Sequence, residues 1–282
     1  MMLRIAIPNK GSLAEESMTI LKEAGYRQRS DSRDLVLVDS ANGVEFYYLR
    51  PRDIAIYVGK GELEAGITGR DLLIDSGASA EEVLPLHYGA STFHFAAPVG
   101  KKLSLQSLTG LRVATAYPGL VARYFQDHGI SAEVVRLDGA VESSVRLGVA
   151  DVIVDVVSTG NTLRQAGLEL FGDPILVSEA ILIKRSGAPM VREFEVLLRR
   201  VQGVVTARQY VLLDYDVSQD KLSQACAITP GLESPTISPL AKEGWVAVRA
   251  MVRRSETNQV MDQLWDLGAR GILVTDIHAC RL

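Results

Sequence analysis

Apolar positions along this chain fall into two alternating patterns, short continuous or period-two runs and stretches with a period near 3.6. Leu3 to Ile7 is a short apolar run and predicts a first strand. Ser12-Leu13-Ala14-Glu15 has the spacing of a capping box, so a helix is predicted from there to about Ala24, ended by Gly25. Leu35 to Val38 and Val44 to Leu49 read as strands joined by a turn at Asn42-Gly43, a strong hairpin signal. Asp53 to Val58 predicts a short helix, Ala65 to Thr68 a strand and Asp71 to Ser76 another helix. From about Ser91 the rhythm becomes regular α/β. Strands are predicted at Leu111 to Ala114, Ala132 to Arg136 and Val152 to Val157, and helices at Gly119 to His128 and Ala140 to Leu147. The apolar run at Val152 suits a buried parallel strand. Ile175 to Ile183 predicts one long strand running back toward the first part of the chain. Val191, Phe194, Leu198, Val201 and Val205 mark one face of a helix.

The C-terminal stretch has a different order. Strands are predicted at Tyr210 to Leu213, Pro235 to Ser238, Trp245 to Val252 and Gly271 to Thr275, with helices at Ser218 to Ala227 and Glu256 to Leu267. This is βαββαβ, the ferredoxin-like split unit. Such domains often bind amino acids or regulators, but the fold alone assigns no function. No low-complexity tract or short-period repeat interrupts the chain.

Composition adds limits. At roughly 100–150 residues per domain, 282 residues predict two or three domains. With 47% hydrophobic and 23% charged residues, a core of useful size needs no metal or disulfide staple. A net charge of −4 argues against a general nucleic-acid binder, though not against a local basic pocket for phosphates. Cys226 and Cys280 match no zinc or redox spacing and read as inert thiols. The first residues read as a strand rather than a signal peptide. No segment approaches the roughly 20 apolar residues that span a bilayer. The expected compartment is the cytoplasm, with no membrane partner.

The most informative segment is Val152-Ile153-Val154-Asp155-Val156-Val157-Ser158-Thr159-Gly160-Asn161-Thr162. An apolar strand ends in a small polar loop, and a helix is predicted to start near Leu163. The first N–H groups of a helix lack partners and carry the positive end of its dipole. Ser158, Thr159 and Thr162 add hydroxyl donors, and Gly160 lets backbone approach a ligand closely. Together they form a phosphate cradle without a lysine. A phosphate repels a carboxylate, so Asp155 is better used on the hydroxyls of an attached sugar. An acid on ribose hydroxyls beside a loop on the 5′-phosphate is the logic of a phosphoribosyl site. The same residues also fit an ordinary capped loop, with Asp155 as a structural acceptor.

Other signatures are missing. The sequence has no G-x-x-x-x-G-K-[ST] loop, G-x-S-x-G elbow or H-E-x-x-H pair. Gly59-Lys60-Gly61 begins like a dinucleotide fingerprint but lacks the third glycine. His87, His94, His128 and His278 are scattered without partners at motif spacing.

Six segments taken together resemble one family. They are Pro8-Asn9-Lys10-Gly11, Gly66-Ile67-Thr68-Gly69-Arg70-Asp71, Ala114-Thr115-Ala116-Tyr117-Pro118, Arg136-Leu137-Asp138-Gly139-Ala140-Val141-Glu142, the Asp155 to Thr162 loop, and Ile228-Thr229-Pro230-Gly231-Leu232-Glu233-Ser234-Pro235-Thr236. In this order and nearly end to end, they resemble ATP phosphoribosyltransferase of the long, histidine-regulated form, which catalyses the first step of histidine biosynthesis.

The resemblance implies an α/β chain with a two-lobed, periplasmic-binding-protein-like (type II) catalytic part and a C-terminal ferredoxin-like, ACT-like regulatory domain. Lobe one is expected at 1–90 with 184–208, lobe two at 91–183 and the regulatory domain at 209–282. The reaction implied joins N1 of the ATP adenine to C1 of phosphoribosyl pyrophosphate and releases pyrophosphate, with Mg²⁺ carried mainly on substrate oxygens and its protein ligands left open. By position, Asp155 is assigned to the ribose hydroxyls, and Ser158, Thr159, Gly160, Asn161 and Thr162 to the 5′-phosphate. Lys10 and Arg70 are candidates for the pyrophosphate or the ATP phosphates, although lone charges more often form surface salt bridges. Asp71 and Tyr117 are candidates for the adenine side, and Asp138 and Glu142 for ribose or Mg²⁺ contact. L-histidine is implied as an allosteric inhibitor, with Asp216 for its ammonium, Ser234 and Thr236 for its carboxylate, and Leu232 and Gly271 as walls. The family forms active dimers and inhibited hexamers, and a chain that carries the tail is expected to need no separate regulatory subunit.

Two other classes compete with this reading. One is a non-catalytic two-lobed binder of a small anion. The other is an amino-acid sensor acting through the tail, which leaves the upstream phosphate loop without a purpose.

Overall fold

The computed structural model describes residues 2–157 and 161–281. Its contacts divide into two compact units, one formed by 1–19 with 27–194 and the other by 20–26 with 195–282.

The first unit contains two sheets. The opening elements are β1 (Leu3–Pro8), α1 (Ser12–Glu23), β2 (Val36–Asp39), β3 (Val44–Leu49), α2 (Pro51–Gly59), β4 (Ala65–Gly69), α3 (Arg70–Ser76) and β5 (Ala80–Pro85). The chain then builds β6 (Ser91–Pro98), β7 (Arg112–Thr115), α4 (Pro118–His128), β8 (Glu133–Arg136), α5 (Ser143–Arg146), β9 (Val152–Val157), α6 (Asn161–Gln165) and β10 (Leu168–Ser178). It returns through β11 (Ala180–Arg185).

The two sheets repeat one plan. The first has the order β2-β3-β1-β4-β11-β5 and the second β10-β6-β9-β7-β8. In each, three parallel strands stand beside an antiparallel strand: β3, β1 and β4 next to β11, and β8, β7 and β9 next to β6. That antiparallel strand is the one on which the chain arrives from the other lobe. Two crossings, β5 to β6 and β10 to β11, therefore join the lobes, the arrangement of a type II periplasmic-binding-protein-like fold.

Burial accounts for the strand pattern. β4 is buried along its whole length, as a central parallel strand covered on both faces must be. In the first lobe Ala6, Ile54, Ala55, Val58, Ile181 and Ile183 share one core. In the second, Phe93, Phe95, Val113, Val152 and Val154 fill one face of the sheet, while Ala96, Ala114, Ile153, Val157 and Leu163 fill the other.

Several elements differ from the sequence expectation. The predicted strand Ile175 to Ile183 is two strands in different sheets, because β10 pairs with β6 and β11 with β4. The predicted helix from Ala140 shrinks to Ser143–Arg146, since Ala140 has a left-handed φ of 48° that a helix cannot hold. Helices α2 and α4 start earlier than predicted, each using a proline in its first turn, where the missing N–H costs nothing.

In the second unit α7 (Arg192–Gln209) leads into β12 (Tyr210–Ser218), α8 (Leu222–Ile228), β13 (Thr236–Pro239), β14 (Trp245–Arg253), α9 (Thr257–Leu267) and β15 (Arg270–Asp276). The sheet order is β13-β14-β12-β15. Residues of β12 alternate strictly between half-buried and buried. Val211, Leu213, Tyr215 and Val217 face the core with Leu264 and Ala269, leaving Leu212, Asp214 and Asp216 on the open face.

Candidate active site in the interlobe cleft

The parallel strands of both lobes deliver the predicted residues from their carboxyl ends, where open α/β sheets bind ligands. In the first lobe β1 ends just before Lys10, and β4 just before Arg70 and Asp71. In the second, β7 leads to Tyr117, β8 to Asp138 and Glu142, and β9 carries Asp155 and leads to Asn161 and Thr162. A cleft of about 450 Å³ is lined by Lys10, Gly11, Ser12, Gly69 and Asp71 on one side and by Ser91, Tyr117 and Val156 on the other. Residues 158–160 lie outside the described part of the chain, so Ser158, Thr159 and Gly160 carry only their sequence assignment.

Asp71 is buried and fixed. Ser178 Oγ donates to its Oδ1 at 2.7 Å and accepts its backbone N–H at 3.0 Å. A Cβ on Gly69 would collide with Asp71 Oδ1, so glycine makes room for this carboxylate. Across the cleft, the Tyr117 N–H donates to Thr115 Oγ1 at 3.0 Å. The Tyr117 ring meets Phe93 edge-on at 4.8 Å and lies under the Arg52 guanidinium at 4.9 Å. Burial, followed by the negative charge of Asp71, pushes the Tyr117 phenol up to about 12, so it stays a protonated donor through the neutral range.

Asp155 points to the opposite face of β9 from Val156. Its Oδ1 accepts the Val156 N–H at 2.8 Å. Burial raises its pKa, that hydrogen bond opposes the rise, and the Glu142 carboxylate adds to it. Among the described residues neither Asp155 nor Glu142 has an ion-pair partner. The pair thus presents negative charge at the strand ends, suited to sugar hydroxyls, a developing cation or a metal-bearing substrate. His94 is the direct cross-strand partner of Asp155 in the β6–β9 ladder, which puts both side chains on one face of the sheet. The scattered histidines gave no sign of this in the sequence, because the pairing joins positions 61 apart in the numbering.

The two predicted cations differ. Arg70 is held by Glu82 at 2.8 Å and by Glu179 at 3.1 Å, and those carboxylates raise its pKa. Lys10 is exposed at the rim, and its ammonium has no partner among the described residues. Asp138 is also exposed and pairs with Arg136 at 3.3 Å. Among the described residues no three His, Cys, Asp or Glu side chains converge to hold a metal, and no helix is long and apolar enough to cross a membrane.

In the C-terminal sheet the predicted effector residues form two groups. Asp216 lies on β12 beside Gly271, where a Cβ would sit 3.2 Å from Asp216 Oδ2. Leu232, Ser234 and Thr236 are exposed on the loop before β13 and on its first residue. β14 separates β13 from β12, so the backbone of Thr236 is two strand spacings, about 10 Å, from the strand that carries Asp216.

Fold and cleft define a two-lobed α/β protein with an open cleft at the strand ends of its lobes. The profile of the ATP phosphoribosyltransferase family matches residues 50–203, and that of the HisG C-terminal domain matches residues 207–279. The ATP phosphoribosyltransferase of Pseudarthrobacter chlorophenolicus is 62% identical over 284 residues, covering 100% of both chains. That of Streptomyces coelicolor is 58% identical over 288 residues, again covering 100% of both. Among solved structures, the ATP phosphoribosyl transferase (HisG:HisZ) complex from Thermotoga maritima is similar, with a TM-score of 0.62 and 27% identity, covering 73% of this chain and 99% of that one. The chain belongs to the ATP phosphoribosyltransferase family. Its substrates are ATP and phosphoribosyl pyrophosphate. It transfers the phosphoribosyl group to N1 of the adenine and releases pyrophosphate, the first step of histidine biosynthesis.

Proposed function

We propose that the donor binds to the second lobe at the end of β9 and that ATP enters from the facing lobe. The observation that carries this is that residues at the ends of β1, β4, β7 and β9 line one cleft, with the Asp155 carboxylate on β9 lacking an ion-pair partner among the described residues. Asp155 accepts the ribose hydroxyls, and the Ser158 to Thr162 loop takes the 5′-phosphate on N–H groups and hydroxyls. Asp71 and Tyr117 line the adenine side. Lys10 meets substrate phosphate, as a rim cation with no partner among the described residues, whereas Arg70 would first have to leave Glu82 or Glu179. Asp138 and Glu142 border the ribose.

The nucleophile is N1 of ATP, so the chain needs no activated side chain of its own. A bond forms from N1 to C1 as the bond from C1 to the pyrophosphate oxygen breaks. Positive charge grows on the ribose ring, where the fixed negative charge of Asp155 offsets it. The two lobes hold the reactants in line and exclude water. Glu142 would be a carboxylate for Mg²⁺, which commonly takes one or two carboxylates and completes its shell with substrate oxygens. When bound there, Mg²⁺ neutralises charge on the leaving pyrophosphate.

The C-terminal domain is proposed to bind L-histidine between subunits, pairing Asp216 and Gly271 of one chain with Leu232, Ser234 and Thr236 of another. The separation of these groups within one chain supports a shared site. An active dimer and an inhibited hexamer are proposed alongside it, as the resemblance to the long form of the family implies. Because the chain carries its own C-terminal domain, it needs no separate regulatory subunit. Its place is the cytoplasm, where ATP and the donor are made.

Pyrophosphate release tests the reading. It should require ATP, phosphoribosyl pyrophosphate and Mg²⁺ together. Lys10→Ala should raise KM for a phosphate-bearing substrate about tenfold while leaving thermal stability unchanged, as loss of one exposed charge contact predicts. A chain that binds both substrates yet releases no pyrophosphate is a binder, and the proposal fails.

A further inference from the structure

Helix α4 has a capping problem that it does not solve locally. Its N-cap residue is Tyr117, which makes no side-chain cap. The first N–H groups of a helix need acceptors from elsewhere. They find one in the other lobe. Asp75, on α3, accepts the Gly119 N–H at 2.8 Å and the Leu120 N–H at 3.2 Å on one carboxylate oxygen. Its other oxygen accepts Arg52 Nη1 at 2.7 Å. The Asp75 side chain is only 8% exposed, and the same Arg52 guanidinium lies over the Tyr117 ring. Gly119 permits the approach, since a Cβ there would collide with the Asp75 carbonyl oxygen. Asp71 and Asp75 stand four residues apart on α3, so one helix face serves both the cleft and the α4 terminus.

We infer that Asp75 and Arg52 form an interlobe clasp whose task is to position Tyr117 for ATP. The inference rests on the reading of Tyr117 as an adenine-side residue. Asp75 anchors α4 two and three residues after Tyr117, and Arg52 covers the ring, so the clasp fixes both the backbone and the plane of this side chain. Neither residue lines the cleft; both act through Tyr117 as positioning residues. A negative charge at a helix N-terminus suits the dipole, so the cap is strongest while Asp75 is ionised.

Steady-state kinetics with each substrate varied, alongside thermal unfolding, test this. Asp75→Asn keeps the size and one acceptor but loses the charge. Arg52→Gln loses both the ion pair and the ring contact, and serves as a second route if the first variant does not fold. Each should raise KM for ATP roughly tenfold while KM for phosphoribosyl pyrophosphate moves less than about twofold, the scale of one charged hydrogen bond. Arg52→Lys, which keeps the pair with Asp75 but loses the planar stacking, should fall between wild type and Arg52→Gln. In a Tyr117→Ala background, Asp75→Asn should add little, because the two act as one unit. Equal rises in both KM values, an unchanged KM for ATP, or fully multiplicative effects in the double variant would overturn the clasp. If Tyr117→Ala alone leaves KM for ATP unchanged, the assignment of Tyr117 fails instead, and the clasp loses its target.

Discussion

Asp155→Asn is expected to lower kcat on the order of 10²–10³-fold, the usual loss when one fixed group facing transition-state charge is removed. The variant should nevertheless fold as well as wild type, or better. Burial, with the Glu142 charge adding to it against the Val156 N–H, holds the folded Asp155 carboxyl above its unfolded value. The folded protein therefore keeps this proton to a higher pH than the unfolded chain does. Stability from this site is present at low pH and is lost as the pH rises from the unfolded value through the folded one. At neutral pH the ionised carboxylate is a cost, which asparagine removes. Thermal unfolding of both proteins across that pH range checks the sign. A variant that keeps wild-type turnover, or that loses activity only because it unfolds, would remove Asp155 from the chemistry.

The second large effect is expected at the C-terminal sheet, at the site proposed for histidine. Asp216→Asn should raise the histidine concentration needed for half inhibition by at least about 30-fold, the loss expected when one partner of a desolvated charge pair is removed. Turnover without histidine should stay near wild type, since Asp216 lies in the second unit, on the open sheet face. Asp216 replacement is a cleaner test than deleting the domain at Tyr210. α7 packs within the second unit, where Cys280 Sγ donates to the Gly203 carbonyl at 3.2 Å, and a deletion would strip that helix of its cover. Inhibition curves for the two proteins decide the matter, and unchanged histidine sensitivity would take the ammonium away from Asp216.

Much of this architecture was legible in the chain because local signals agreed with the global fold. The mostly apolar run at Val152 gave a buried strand, the capping-box spacing at Ser12 gave α1, and the βαββαβ order gave the C-terminal sheet. The crossing at Ser178-Glu179 was not legible. β10 and β11 read as one apolar run, and only long-range pairing with β6 and β4 assigns them to different lobes. The site divides in the same way. Asp155 was singled out by the loop chemistry that follows it, whereas Lys10, Asp71 and Tyr117 became candidates only through the family resemblance; the structure puts these three just past parallel strands and Asp155 within β9. Their supports could not be read from the sequence. Ser178 reaches Asp71 from 107 residues away, Asp75 caps a helix 44 residues later, and His94 meets Asp155 only through the ladder. Arg70 shows the converse. Its motif context suggested a free phosphate ligand, while Glu82 and Glu179, distant in sequence, already occupy it.

The most direct measurement is a crystal structure with phosphoribosyl pyrophosphate and Mg²⁺ bound. The ribose hydroxyls should lie within about 2.5–3.0 Å of the Asp155 carboxylate, with the 5′-phosphate against the N–H groups where α6 begins at Asn161 and Thr162. A donor seated instead on the first lobe, with Asp155 facing no sugar oxygen, would contradict the account.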